Sequence, residues 1–334
     1  MQILKKNGKR LLKLLGPLFF IFLFIRVVDP QATMSALKEI RPDMALLSVL
    51  LFPVVNAALT YRWWLICQRL ELGASFNGLF QIYYISWFLS ALPLVGISPL
   101  AKLFYLKEEE HPAGISAVSI ILDKLFDIFG LLVFGLFGLV YLPQSLFKIS
   151  YLGTIIAVAL LTVFLLWIFG SKLWPTALGF LKQYTNKRLQ KIGSNLQADL
   201  KGFWPRFNFR FFLLILFISI AIGILRALVL YVLAISLNIS ASFGLIVAAR
   251  AIIGIVNIIP ITISGLGTRD GILLLTLPFA GVTKEAAIAL GLLAFLWTIC
   301  SKFSGIFFWL KRPLPSGSVR GIKEKLVSGP VDRS

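Results

Sequence analysis

Leu92-Pro93-Leu94-Val95-Gly96-Ile97-Ser98-Pro99-Leu100-Ala101-Lys102 and Ile259-Pro260-Ile261-Thr262-Ile263-Ser264-Gly265-Leu266-Gly267-Thr268-Arg269 are two apolar stretches broken by proline and glycine. In each, a cation stands nine residues after the first proline: Lys102 and Arg269. Apolar segments interrupted at corresponding places in two halves of a chain are the sequence mark of discontinuous helices around an intramembrane site. Backbone can break within lipid only where protein or a polar cavity receives the freed groups.

The composition fits such a reading. Of 334 residues, 58% are hydrophobic and 14% charged, with a mean hydropathy of +0.90. Soluble chains carry nearer a quarter charged residues. Apolar runs fall at about 14–28, 44–66, 76–97, 114–142, 150–170, 209–236, 242–260 and 271–310. About 20 residues cross a bilayer core. The last run should divide near Gly281, where Gly281-Val282-Thr283-Lys284-Glu285 reads as a turn and helix start. Lys5, Lys6, Lys9, Arg10 and Lys13 precede the first run without a small-residue cleavage site after it, so it reads as an uncleaved transmembrane helix.

The net charge of +19 lies mostly in flanks and loops, as cytoplasmic faces beside anionic lipid require. No basic domain with interleaved aromatics suggests nucleic acid. Cys67 and Cys300 lie in or beside apolar runs and suggest no disulfide framework, and one histidine, His111, excludes a His-rich metal site. No metal, cofactor or catalytic residue is expected, because no phosphate loop or hydrolase motif is present. Glu108-Glu109-Glu110-His111 reads as a polar turn.

Charge also sets the topology. Residues 172–210 hold eight Lys/Arg and one acid, Asp199, and apolar positions recur there at helical spacing. The segment 172–208 reads as an amphipathic helix in the interface, with a solvated loop helix as the alternative. A loop this basic belongs inside, as do the N-terminus and the basic tail 313–334. Both requirements hold if 76–110 and 242–281 enter and return on one side. The expected fold is therefore an all-α polytopic membrane protein. It has about six full transmembrane helices and two re-entrant broken hairpins, in one transmembrane domain over residues 1–312. The units 44–142 and 209–310 form an inverted repeat. Ala74-Ser75-Phe76 opens one hairpin and Ala241-Ser242-Phe243 the other, and Arg62 and Arg226 precede the two prolines by 31 and 34 residues.

Ionisable groups within membrane spans are costly, about 3 kcal/mol each on insertion scales, and are functional candidates by default. Arg226 lies mid-span, Arg250 in the second hairpin, and Arg269-Asp270 at its tip. An arginine fork suits phosphate, and exposed N–H groups at a helix start favour an anion. Gly265 and Gly267 allow close backbone approach. Arg226, Arg269, Lys102, Gly265 and Gly267 are thus candidate headgroup-binding residues. Asp123, Lys124, Asp127 and Asp270 are candidates for charge balance or proton coupling. Asp123 and Asp127 share a helix face, and Lys124 can neighbour Asp127. An internal ion pair is the structural alternative. Arg269 pairing only with Asp270 is another. Lys302 is expected to snorkel from the end of the last helix.

Four stretches carry a family resemblance: Tyr61-Arg62-Trp63-Trp64, Leu92-Pro93 to Lys102, Leu122-Asp123-Lys124-Leu125-Phe126-Asp127, and Pro260-Ile261-Thr262-Ile263-Ser264-Gly265-Leu266-Gly267-Thr268-Arg269-Asp270-Gly271. Together they resemble the transmembrane domain of lysylphosphatidylglycerol synthase/flippase proteins, over about residues 10–310. This chain departs from the usual pattern at Ser98-Pro99, Lys102, Lys124 and Asp270. The resemblance implies a lipid-translocating or lipid-binding domain acting on an anionic, aminoacylated or polyprenyl-linked lipid in a prokaryotic plasma membrane, with both termini cytoplasmic. In synthase members a soluble aminoacyl-transferase domain follows. The chain ends about 24 residues after its last helix, so lysyl transfer by this polypeptide alone is not expected. Membrane lipids are the implied partners. Two other readings are a membrane subunit that presents lipid to a separate transferase and a transporter of a small anionic solute.

Overall fold

A computed structural model describes residues 30–91, 97–139, 141, 208–257 and 265–313. The expected spans 14–28 and 150–170, almost all of the interfacial segment 172–208, and the tail beyond Pro313 lie outside the described residues. Among those described, every regular element is a helix. In chain order they are α1 (Pro30–Lys38), α2 (Pro42–Arg69), α3 (Phe76–Leu89), α4 (Ile97–Glu108), α5 (Ala113–Leu139), α6 (Phe209–Ser236), α7 (Phe243–Val256), α8 (Thr268–Thr276), a 3-10 turn (Leu277–Ala280), α9 (Lys284–Phe303) and α10 (Ile306–Lys311).

Among the described residues, three segments are long and apolar enough to cross a membrane: α2, α6 and the α9–α10 run Lys284–Lys311, each 28 residues. At 1.5 Å per residue that is about 42 Å, longer than a hydrocarbon core of about 30 Å. Helix α5 is nearly as long, at 27 residues, but carries Asp123, Lys124 and Asp127 along its length. Large apolar side chains stay exposed on these helices, among them Leu50 on α2, Phe217 on α6 and Leu296 on α9. A solvated monomer seldom shows so much apolar surface, whereas lipid accepts it.

The hairpin arms are shorter. Helices α3 and α7 have 14 residues each, about 21 Å, too short to cross. Each begins at the serine of the matched Ala-Ser-Phe triplet. Ser75 Oγ accepts from the Gly78 N–H at 3.1 Å, and Ser242 Oγ accepts from the Leu245 N–H at 3.3 Å. A serine cap satisfies one of the donors that every helix start leaves unpaired. Helix α3 packs on α4, and α7 packs on α8. Helix α7 stops at Asn257, three residues before Pro260, as the restriction on residues preceding proline favours. The expected break at Gly281 is present, with φ +73° there and α9 starting three residues later. A further break at Gly305 separates α9 from α10. The short helix α1 was not legible in the sequence.

The chain forms two compact units, each built around one hairpin. Of the described residues, the first comprises 59–91, 97–124, 208–212 and 301–313. Its core includes Trp63, Ile66, Leu79, Ile82, Ile85, Tyr105 and Leu106. Helix α10 packs on α3 there. Phe308 lies against Phe80 and Tyr84, and Trp309 against Phe88. Arg312 donates to Glu109 Oε1 at 2.8 Å, and the Tyr105 hydroxyl donates to the Arg312 carbonyl at 2.6 Å. Thus the polar turn expected at Glu108–His111 is present and is tied to the end of the last helix.

The second unit comprises, of the described residues, 30–58, 125–139, 141, 213–257 and 265–300. Phe134, Ala227, Val247 and Ala251 form a core where α5, α6 and α7 meet. Packing without a hydrophobic drive between helices relies on small residues that let backbones approach. Gly138 supplies this on α5: a Cβ there would meet the Ala248 backbone of α7 at 2.8 Å.

Candidate functional site

Each unit holds a buried charge cluster. In the first, Arg62 on α2 is 1% exposed and donates through Nε and Nη2 to Asp123 Oδ1 on α5, at 3.0 and 2.9 Å. Nη2 also reaches the Asp123 carbonyl at 3.2 Å. Lys102 on α4 lies 3.6 Å from the other oxygen, Asp123 Oδ2. Its ammonium stands over the Trp63 ring at 4.2 Å and the Tyr83 ring at 4.5 Å. Trp63 Nε1 in turn donates to Ser119 Oγ at 3.2 Å, which fixes the indole plane. A charge moved into an apolar interior is tolerated when paired and hydrogen-bonded. Asp123 provides that for two cations at once.

The second cluster surrounds the tip of the second hairpin. Arg226 on α6 pairs with Asp127 on α5 at 3.0 Å. Arg250 on α7 is close enough to Arg226, Asp127 and Arg269 to interact electrostatically with all three. Arg269 begins the second position of α8 and is 7% exposed, with its guanidinium 5.9 Å from the Phe295 ring. Its Nε and Nη2 are buried and make no hydrogen bond among the described residues. Asp270 is fully buried, and its Oδ2 accepts from the Gly267 N–H at 2.7 Å, capping α8. Its Oδ1 is buried and has no hydrogen-bond donor, packed against Gly291, where any Cβ would collide with it. The cluster therefore sets three arginines against two carboxylates.

The glycines shape this tip. Gly265 and Gly267 have φ of +80° and +87°, a region that side chains disfavour. Those turns let the Gly265 carbonyl accept from the Arg269 N–H at 2.9 Å, starting α8 with Arg269 in its first turn. The Thr268 hydroxyl donates to the Gly265 carbonyl at 3.3 Å and reaches Asn257 Oδ1, the last residue of the preceding arm, at 3.4 Å.

The structure thus brings Arg226, Arg269, Asp127, Asp270, Gly265 and Gly267 into one unit, together with Arg250. It places Lys102 and Asp123 in the other, with Arg62. Lys124 stands three residues before Asp127 on α5, and long-range partners of the two aspartates are Arg62 for Asp123 and Arg226 for Asp127. Asp270 caps its own helix and forms no close ion pair with Arg269. Lys302 does not snorkel: it is 5% exposed, with Nζ 4.9 Å from the centre of the Trp87 ring. Sequence reading missed the caging of Lys102 by Trp63 and Tyr83, because ring–cation contacts across 39 and 19 residues leave no local signature. Among the described residues no group of three or more metal-ligating side chains occurs.

The family described as "Lysylphosphatidylglycerol synthase TM region" matches residues 10–301. The chain belongs to this family. It is therefore a multi-pass membrane protein, and the matched region is the transmembrane one. It is also similar to the UPF0104 membrane protein MJ1595 of Methanocaldococcus jannaschii, at 23% identity over 303 residues, covering 86% of this chain and 90% of the relative. The match takes in α2 through α9, and with them both charge clusters.

Proposed function

We propose that the protein binds and translocates a phospholipid or polyprenyl-linked lipid, and that Arg226, Arg250 and Arg269 hold its headgroup phosphate. The observation that carries the reading is the buried guanidinium of Arg269, whose Nε and Nη2 have no hydrogen-bond partner among the described residues. A buried donor left unmade costs about 1–3 kcal/mol, more when charged. Such a group is stable when a ligand supplies the acceptor. A phosphodiester carries one negative charge, which matches the excess of one arginine over the carboxylates around it. Arginine offers phosphate two parallel donors, which lysine cannot. The family's association with a lysylphosphatidylglycerol synthase favours a lipid over a soluble anion.

In this reading two hairpins enter the membrane without crossing, and six helices cross it. Short arms, paired serine caps and broken tips support that arrangement, as do the matched positions of Arg62 and Arg226. The charge distribution supports an inverted repeat over 44–142 and 209–310 in one domain with cytoplasmic termini, and the family resemblance supports a prokaryotic plasma membrane. Asp127 and Asp270 balance the arginines. The family's name, a region of a synthase, favours one second reading: a membrane part that presents lipid to a transferase.

Reconstitution separates the two. Purified protein in liposomes with a fluorescent phosphatidylglycerol should expose inner-leaflet probe to dithionite. Arg269→Ala should abolish that exposure. No translocation by the chain alone, with lipid still bound, would move the assignment to presentation.

A further inference from the structure

Lys102 sits in a seat built of two ring faces and a carboxylate. A primary ammonium carries three N–H donors. Lys102 Nζ has its nearest carboxylate oxygen at 3.6 Å, an ion-pair distance beyond hydrogen-bond reach. What surrounds it are two ring faces, Trp63 at 4.2 Å and Tyr83 at 4.5 Å. Two aromatic faces and a carboxylate that attracts without bonding are what a quaternary ammonium requires, since it has charge and no donors. The box is rigid apart from its occupant. Trp63 is fully buried and held by Ser119, and Asp123 is held by two hydrogen bonds from Arg62. Lys102 reaches the box with a long side chain from α4, the second arm of the hairpin.

We propose that Trp63, Tyr83 and Asp123 form a quaternary-ammonium site, which Lys102 fills as a tethered stand-in. Exchanging the Lys102 ammonium for a ligand trimethylammonium leaves the charge of the cluster unchanged. It replaces a cation that can donate three hydrogen bonds with one that donates none and is held by charge and ring faces alone. The ligand is a choline-type cation, either a lipid headgroup or a free quaternary amine. The site stands independently of the phosphate reading, which concerns residues of the other unit.

The test uses the full chain in a detergent without choline groups, titrated calorimetrically with tetramethylammonium. Lys102→Ala should bind it at least about tenfold more tightly than the parent, and adding Trp63→Leu should remove that gain. A second measurement uses only the parent. Saturating tetramethylammonium should raise acetylation of Lys102 by acetic anhydride severalfold over sodium at equal ionic strength, as read by mass spectrometry. Equal affinities in a folded Lys102→Ala, or unchanged Lys102 acetylation in the parent, would overturn the proposal. Competition by phosphatidylcholine nanodiscs against tetramethylammonium would assign a lipid headgroup. Its absence, with binding retained, would assign a free amine.

Discussion

Asp123 is the residue on which the first cluster depends, and Asp123→Ala tests that most severely. The carboxylate accepts two hydrogen bonds from Arg62 at 3.0 and 2.9 Å and faces Lys102 at 3.6 Å. Its partners' side chains are only 1% and 10% exposed. Removing it strands two cations in an apolar interior. Removing one partner of a buried pair costs about 3–5 kcal/mol. That corresponds to roughly a hundred- to several-thousand-fold loss in the folded-to-unfolded ratio at 1.36 kcal/mol per tenfold. The bond from Arg62 to the Asp123 carbonyl survives the substitution, so the lower half of that range is expected. Unfolding in mixed micelles of increasing SDS fraction, followed by circular dichroism, would measure it. Replacing Arg62 and Lys102 by Met in the same chain should recover most of the loss, because an apolar trio needs no counter-charge. A loss below about 1 kcal/mol for Asp123→Ala, or no recovery in the triple variant, would refute the reasoning.

Other substitutions probe the remaining structure. Gly291→Ala drives a methyl into Asp270 Oδ1 and should cost about 1–3 kcal/mol in the same unfolding assay. Adding Asp270→Ala should return part of that loss. Ser75→Ala and Ser242→Ala should each cost about 1 kcal/mol, and similar values would support equivalent roles in the two hairpins. Arg312→Ala removes pairs to Glu109 and Glu108 from a side chain 29% exposed, so its cost should stay under about 1 kcal/mol and shrink with added salt.

The sequence made the hairpins legible because their signals are local. Proline, glycine and a capping serine act on neighbouring backbone, and the serine of each Ala-Ser-Phe triplet falls one residue before its helix. The break at Gly281 was legible for the same reason. Arg226, Arg269 and Asp127 could be singled out because a charge inside an apolar run is conspicuous. Their partners could not be read. Arg62 meets Asp123 across 61 residues and Arg226 meets Asp127 across 99, distances over which spacing rules carry no information. The expectation for Lys302 failed because a cation near a helix end looks alike whether water or an indole awaits it. Packing of the α9–α10 break on α3 decides that case, and no single segment encodes it. The role of Glu108 and Glu109 as partners of Arg312 was hidden likewise.

The central claim is that the arginine cluster around the second hairpin holds a lipid phosphate. The most direct test is to purify the protein gently and identify its co-purifying lipids by mass spectrometry, beside an Arg226→Ala/Arg269→Ala variant of comparable helicity. One phosphate-bearing lipid class enriched in the parent and lost in the variant is the predicted result. The same bulk lipid composition in both proteins would contradict the account.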